Sequence, residues 1–168
     1  MAKHFGITLL ALLGLVLFSP TPAAPPGLVL KDLAGQDRNV NEFIGQGKWT
    51  VVAIWSADCP ICKREIHQMA FFHDAHKNKD AVVLGISVDG PAGRKMARAF
   101  VEEHGLNFPN LLGEPRQMSA FGFPFIGTPT FYIYSPQGEL LARQVGPVTQ
   151  QELEEFIAAR SAAPADGQ

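Results

Sequence analysis

Trp55-Ser56-Ala57-Asp58-Cys59-Pro60-Ile61-Cys62-Lys63-Arg64-Glu65 decides how this 168-residue chain is read, and it holds the only two cysteines. An apolar run, Val51 to Trp55, leads into the stretch, and a helix-like segment from Cys59 to about Lys77 leads out of it. The junction predicts a buried strand whose end carries a dithiol at the start of a helix. A cysteine at a helix N-terminus faces unpaired N–H groups and the positive end of the dipole, both of which favour thiolate over thiol. Cys59 is therefore expected to be the nucleophile. Pro60 fits the first helical position, where its missing N–H costs nothing. Cys62, one turn further in, is placed to attack a mixed disulfide formed at Cys59, so the pair reads as a reversible dithiol/disulfide.

Two plainer readings stand beside that one. A C-x-x-C is half of a structural zinc site, but tetrahedral zinc needs four ligands and there is no second cysteine pair. His67, His73 and His76 lie downstream on the same expected helix, the last two toward its polar end, so a copper or zinc carrier is a low-weight alternative and no metal site is expected. A purely structural disulfide is disfavoured because so short a loop gains little from closure.

Residues 1–23 read as an export signal. Lys3 and His4 precede an apolar block from Ile7 to Phe18, and small residues around Ala23 and Ala24 suit cleavage. The block is short beside the roughly 20 residues of a membrane span, and an uncleaved anchor is the alternative. The destination is an oxidising compartment, most simply a bacterial periplasm. Of the 14 basic residues only Lys3 falls in this segment, leaving 13 against 16 acidic, a mildly acidic domain that argues against nucleic acid and against a polybasic membrane patch. An exported chain whose two cysteines share one motif is not a disulfide-stapled scaffold. The cysteines are kept for chemistry.

Downstream, Leu28 to Leu30 and the largely apolar Trp49 to Trp55 and Val82 to Val88 read as strands. The helix from Cys59 buries Ile66, Met69 and Ala70, with His73, Asp74 and Lys77 at its wet end. A second helix, Pro91 to about His104, carries Met96, Ala97, Phe100 and Val101 at helical spacing. Leu111 and Leu112 and a brief helix around Arg116 to Phe121 form a small insert. Phe131 to Tyr134 and Glu139 to Val145 make a hairpin around Ser135-Pro136-Gln137-Gly138. Thr149 and Glu152 form a capping box for a last helix through Ile157. Residues 24–161 form one domain, and 162–168 a disordered tail.

The strand ending in Trp55, the Cys59-Pro60-Ile61-Cys62 dithiol and Gly127-Thr128-Pro129-Thr130, about 70 residues on, together resemble the thioredoxin superfamily. The extra helix and short strand between Pro91 and Leu112, together with the export signal, are similar to its TlpA/ResA-like branch of periplasmic thiol-disulfide oxidoreductases. The resemblance implies a thioredoxin-like α/β fold, a central mixed sheet flanked by helices, with an N-terminal strand extension and a helix-strand insert. It implies a cis Thr128-Pro129 bond against the dithiol, presenting the Thr128 backbone to an extended substrate, with Trp55 and Pro60 completing the substrate-binding surface. The plainer reading of Pro129 is a proline at a strand start.

Thioredoxins carry a buried aspartate six residues before the nucleophile, where this chain has Ala53. Glu65, one helical turn beyond Cys62, matches a glutamate of ResA-like proteins and is the candidate proton acceptor; its alternative is a first-turn acid complementing the helix dipole. Asp58, where the family often has tryptophan, is expected to oppose thiolate at Cys59. The implied activity is a monomeric, cofactor-free disulfide reductase of protein substrates, reset by an upstream, membrane-embedded redox partner, with cytochrome c maturation as the process it would serve. An oxidant or isomerase is the alternative direction.

Overall fold

The computed structural model describes residues 27–120, 122–124 and 126–162. The expected signal segment and all of the expected tail beyond Ala162 lie outside them. At the centre is β3 (Trp49–Trp55), buried at every position. Its alternation divides the core. Val51, Ala53 and Trp55 face one cluster, with Ile66, Met69, Phe72, Phe100, Leu153 and Ile157, while Val52 and Ile54 face the other, with Leu84, Ile86, Met118 and Tyr132. Fully burying a side chain of the Leu84 or Ile86 class is worth about 1.5–3 kcal/mol, so these clusters carry the stability of the sheet. Thr50, the one polar residue of the strand, is satisfied by donating its hydroxyl to the Phe43 carbonyl at 2.9 Å.

Six other strands complete one sheet among the described residues: β1 (Val29–Asp32), β2 (Asp37–Asn39), β4 (Ala81–Ser87), β5 (Asn110–Leu112), β6 (Thr130–Tyr134) and β7 (Leu140–Val145). Their order is β2-β1-β5-β4-β3-β6-β7. The β3/β4 and β4/β5 pairs are parallel and the rest antiparallel, the mixed sheet expected. The helices are α1 (Pro60–Glu65), α2 (His67–His76), α3 (Arg94–Glu103), α4 (Pro115–Ala120) and α5 (Gln150–Ala162). Buried residues of α1, α2, α3 and α5 join the first cluster, and Met118 of α4 joins the second.

Several local expectations are corrected. The single helix expected from Cys59 to Lys77 is interrupted at Ile66, where Met69 N–H donates back only three residues, to the Ile66 carbonyl at 3.0 Å. His73 is not at a wet end: it is 7% exposed, and its Nδ1 accepts the Val83 N–H at 3.0 Å. Burial, reinforced by Lys77, holds its pKa below the ordinary histidine value. Met96 is exposed while Ala97 and Phe100 carry the buried face of α3. The capping box forms, with Thr149 N–H donating to Glu152 Oε2 at 2.8 Å, but α5 runs past the expected end at Ile157 to Ala162.

Candidate active site

Strand β3 delivers the site to the edge of the core. Trp55 is fully buried, stacked on Phe100 with centroids 4.5 Å apart, and its indole N–H donates to Asn110 Oδ1 at 3.0 Å. Its side chain thus supports the loop from beneath rather than lining a surface. Asn110 in turn donates to the Phe108 carbonyl at 2.8 Å. Gly85 passes so close that a Cβ there would fall on the Asn110 amide and the Phe108 ring, so this position has to lack one.

Beyond Trp55 the chain leaves the sheet, and Asp89 meets it. Asp89 Oδ1 accepts the Ser56 hydroxyl at 2.6 Å, and Oδ2 accepts the Ala57 N–H at 2.9 Å and the Ser87 hydroxyl at 2.7 Å. Gly90, at φ +69°, then turns the chain away from β4 in a conformation side-chain-bearing residues rarely adopt.

Cys59 is the N-cap of α1, with extended backbone, and its sulfur accepts the Cys62 N–H at 3.1 Å. Pro60 occupies the first turn and is exposed, as is Ile61. The sequence brings Thr128 to the same place: the Cys59 thiol donates to the Thr128 carbonyl at 3.3 Å, and Thr128-Pro129 is cis. Thr130 Oγ1 donates to the Gly127 carbonyl at 2.8 Å and Gly146 N–H to the Pro129 carbonyl at 3.0 Å, which pins this loop to β7. Ile126, two residues before Thr128, is exposed. Both thiols are free; Cys59 retains 8% exposure and Cys62 none.

The two sulfurs are electrostatically unlike. Burial opposes charge on Cys59, but hydrogen bonds from the Cys62 and Thr128 side chains and the Cys62 and Ile61 N–H groups outweigh it and hold the thiol below its ordinary value. Asp58 does not reverse that outcome; it is exposed, where solvent screens it. Burial pushes Cys62 up to about 12, with the neighbouring Cys59 adding to the rise and a hydrogen bond from the Ser56 backbone opposing it.

Ala53, in place of the family aspartate, is fully buried. Glu65 ends α1, half-buried. Among the described residues no group of three or more histidines, cysteines or carboxylates is placed to hold a metal ion. His76 is engaged by Asp80 and Glu154, at 2.8 and 3.2 Å. Ser56, Asp89 and Ile126 escape a reading of the sequence. The signal that could have found Asp89 is an acid directly beyond a buried strand, before a Gly-Pro pair.

Sheet order, N-cap dithiol and cis-proline loop define a thioredoxin-fold thiol-disulfide oxidoreductase. Residues 23–143 match the AhpC/TSA family, and the chain belongs to that family. It is 26% identical over 154 residues to sporulation thiol-disulfide oxidoreductase A of Bacillus subtilis, covering 86% of this chain and 91% of that one. It is 27% identical over 130 residues to thiol-disulfide oxidoreductase ResA of Halalkalibacterium halodurans, covering 77% and 70%. The crystal structure of StoA from Bacillus subtilis superposes with a TM-score of 0.63 at 26% identity, covering 81% of this chain and 99% of that one. No helix among the described residues is long and apolar enough to cross a membrane.

Proposed function

We propose that the chain reduces disulfides of protein substrates in an exported, oxidising compartment, with Cys59 as nucleophile and Cys62 as resolving thiol. The observation that carries this reading is the asymmetry of the pair: a partly accessible sulfur held below the ordinary thiol value beside a buried one pushed up to about 12. Cys59 thiolate attacks a substrate disulfide, forming the Cys59–substrate bond and releasing one substrate thiolate. Cys62, deprotonated, attacks the Cys59 sulfur, closing the Cys59–Cys62 bond and releasing the second. Two electrons pass from the dithiol to the substrate. Glu65, one turn from Cys62, takes the resolving proton.

The donor direction is taken from the resemblance to the TlpA/ResA-like branch; Cys62 stays protonated at neutral pH and a Cys59 held below its ordinary value stabilises the reduced form, so the reduction potential is the measurement that decides the direction. The substrate docks as an extended segment against the Thr128 backbone that the buried Pro129 holds in place, with the exposed Pro60, Ile61 and Ile126 on the two segments that carry Cys59 and Thr128. Residues 1–23 direct the chain to the periplasm, where it works as a monomer, cofactor-free, reset by a membrane-embedded partner and serving cytochrome c maturation.

Two measurements test this. Cys62→Ser should accumulate mixed disulfides with client proteins while Cys59→Ser traps none; equal trapping would refute the division of labour. The reduction potential should lie near or below about −270 mV, and a value near about −120 mV would mark an oxidant instead.

A further inference from the structure

We propose that Asp89 is the positioning residue of the dithiol: its carboxylate holds the Ser56-Ala57 turn so that the Ser56 backbone N–H stays on the Cys62 sulfur when that sulfur resolves the mixed disulfide. The inference rests on the exchange reaction proposed above and assigns to it a residue 27 positions beyond the second cysteine.

Both oxygens of Asp89 are committed to this turn and its neighbour. Oδ1 takes the Ser56 hydroxyl, and Oδ2 takes the Ala57 N–H and the Ser87 hydroxyl. Each hydroxyl is used twice: Ser56 Oγ also accepts the Asp58 N–H at 3.4 Å, and Ser87 Oγ accepts the N–H of Asp89 itself at 3.2 Å. The Val88 N–H donates to the Trp55 carbonyl at 2.9 Å, so β3 and β4 are pinned side by side up to the point where the turn begins. Among the described residues, the bonds to Asp89 are those that tie residues 56–58 to the sheet.

The turn leads directly into the dithiol: the Ser56 carbonyl accepts the Cys59 N–H at 3.2 Å, and the Ser56 N–H is the backbone group that relieves the burial of Cys62. Cys62 is fully buried, so a donor to its thiolate has to come from the protein, and a hydrogen bond to the charged form favours that form. Cys59 is the titratable group acting on it, and Glu65, the proton acceptor proposed above, lies one turn further along α1. In the resolving step Cys62 loses its proton and attacks the Cys59 sulfur; the Cys59–Cys62 bond forms, the Cys59–substrate bond breaks, and the substrate departs as a thiolate. The Ser56 N–H stabilises the attacking thiolate before that step. Asp89 touches neither sulfur and acts only through Ser56 and Ala57.

The test follows both half-reactions of the full chain with a nitrobenzoate disulfide, which releases one coloured thiolate on attack by Cys59 and a second on resolution by Cys62. Asp89→Asn turns one acceptor into a donor. It is expected to slow the second release about tenfold at neutral pH and to move its pH profile up by about one unit, with the first release changed less than about threefold. Ser56→Ala keeps every backbone group and loses only the hydroxyl clasp; it is expected to shift the same profile the same way by about threefold, and it decides the matter alone if Asp89→Asn does not fold. An unchanged profile for the second release, or an equal slowing of both releases without a shift, would overturn the role of Asp89. A wild-type chain that releases one thiolate and never the second would overturn the exchange reaction beneath it.

Discussion

Iodoacetamide added to the reduced protein at neutral pH should modify Cys59 and leave Cys62 almost untouched. Cys62 is pushed up to about 12 and Cys59 is held below the ordinary thiol value. With that ordinary value at 9.0, the two differ by at least about three pH units, a ratio of about 1,000 in thiolate at pH 7. A more basic thiolate is the better nucleophile, with a Brønsted slope near about 0.5, which returns about 30-fold of the difference. The net preference for Cys59 is then about 30-fold from protonation alone, and burial of Cys62 against 8% exposure of Cys59 enlarges it. Fragment-ion mass spectrometry of the peptide holding both cysteines reads the ratio directly. Labelling Cys59 also removes its charge from beside Cys62, but burial, the larger cause of the rise, remains, so the second label stays slow. Equal labelling, or faster labelling of Cys62, would refute the asymmetry on which the proposed mechanism stands.

Glu65→Gln keeps the shape of the side chain and removes the base, so resolution of the mixed disulfide should slow more than the first attack, with a flatter pH dependence; stopped-flow kinetics showing unchanged resolution across pH would leave Glu65 as a dipole partner. His73 has a folded pKa below its unfolded value of about 6.5, so the unfolded chain binds a proton that the folded chain resists; stability is full above about pH 6.5 and declines as pH falls through that value toward the lowered one. Urea unfolding across this range should show the decline, and His73→Leu should remove it while costing about 1–3 kcal/mol for the stranded Val83 N–H; an unaltered slope in the variant contradicts the assignment. Gly85→Ala should drive Asn110 off the Trp55 indole N–H and cost about 2–4 kcal/mol, read as a lowered melting temperature, and a variant as stable as wild type would show that the amide is free to move.

Strand β3 and the dithiol are legible in the sequence because each is specified locally: an apolar run sets the strand, and a cysteine followed by proline sets the cap of α1. Thr128-Pro129 is legible only through the resemblance, since nothing near it in sequence announces that it meets Cys59. The polar strand β2 has no apolar alternation to mark it; its place comes from pairing with β1, Leu30 opposite Arg38. His73 reads as a surface residue until β4 supplies the N–H that satisfies it. Met96 shares helical spacing with Ala97 and Phe100, yet only one side of α3 meets the sheet. Ser56 and Asp89 are ordinary polar residues in sequence and become a unit only when β3 and β4 lie side by side.

The site is assembled from residues far apart along the chain: Cys59 meets Thr128 across 69 positions, Trp55 meets Asn110 across 55 and Ser56 meets Asp89 across 33. Contacts of such separation carry the loop-closure entropy of the intervening chain and form late in folding. A polypeptide emerging N-terminus first shows both cysteines before β6 exists. The cap of α1 and the burial of Cys62 set part of their inequality, and the Thr128 contribution is added only when β6 docks beside β3, so the last increment in the difference between neighbouring sulfurs serves as a clock for completion of the fold.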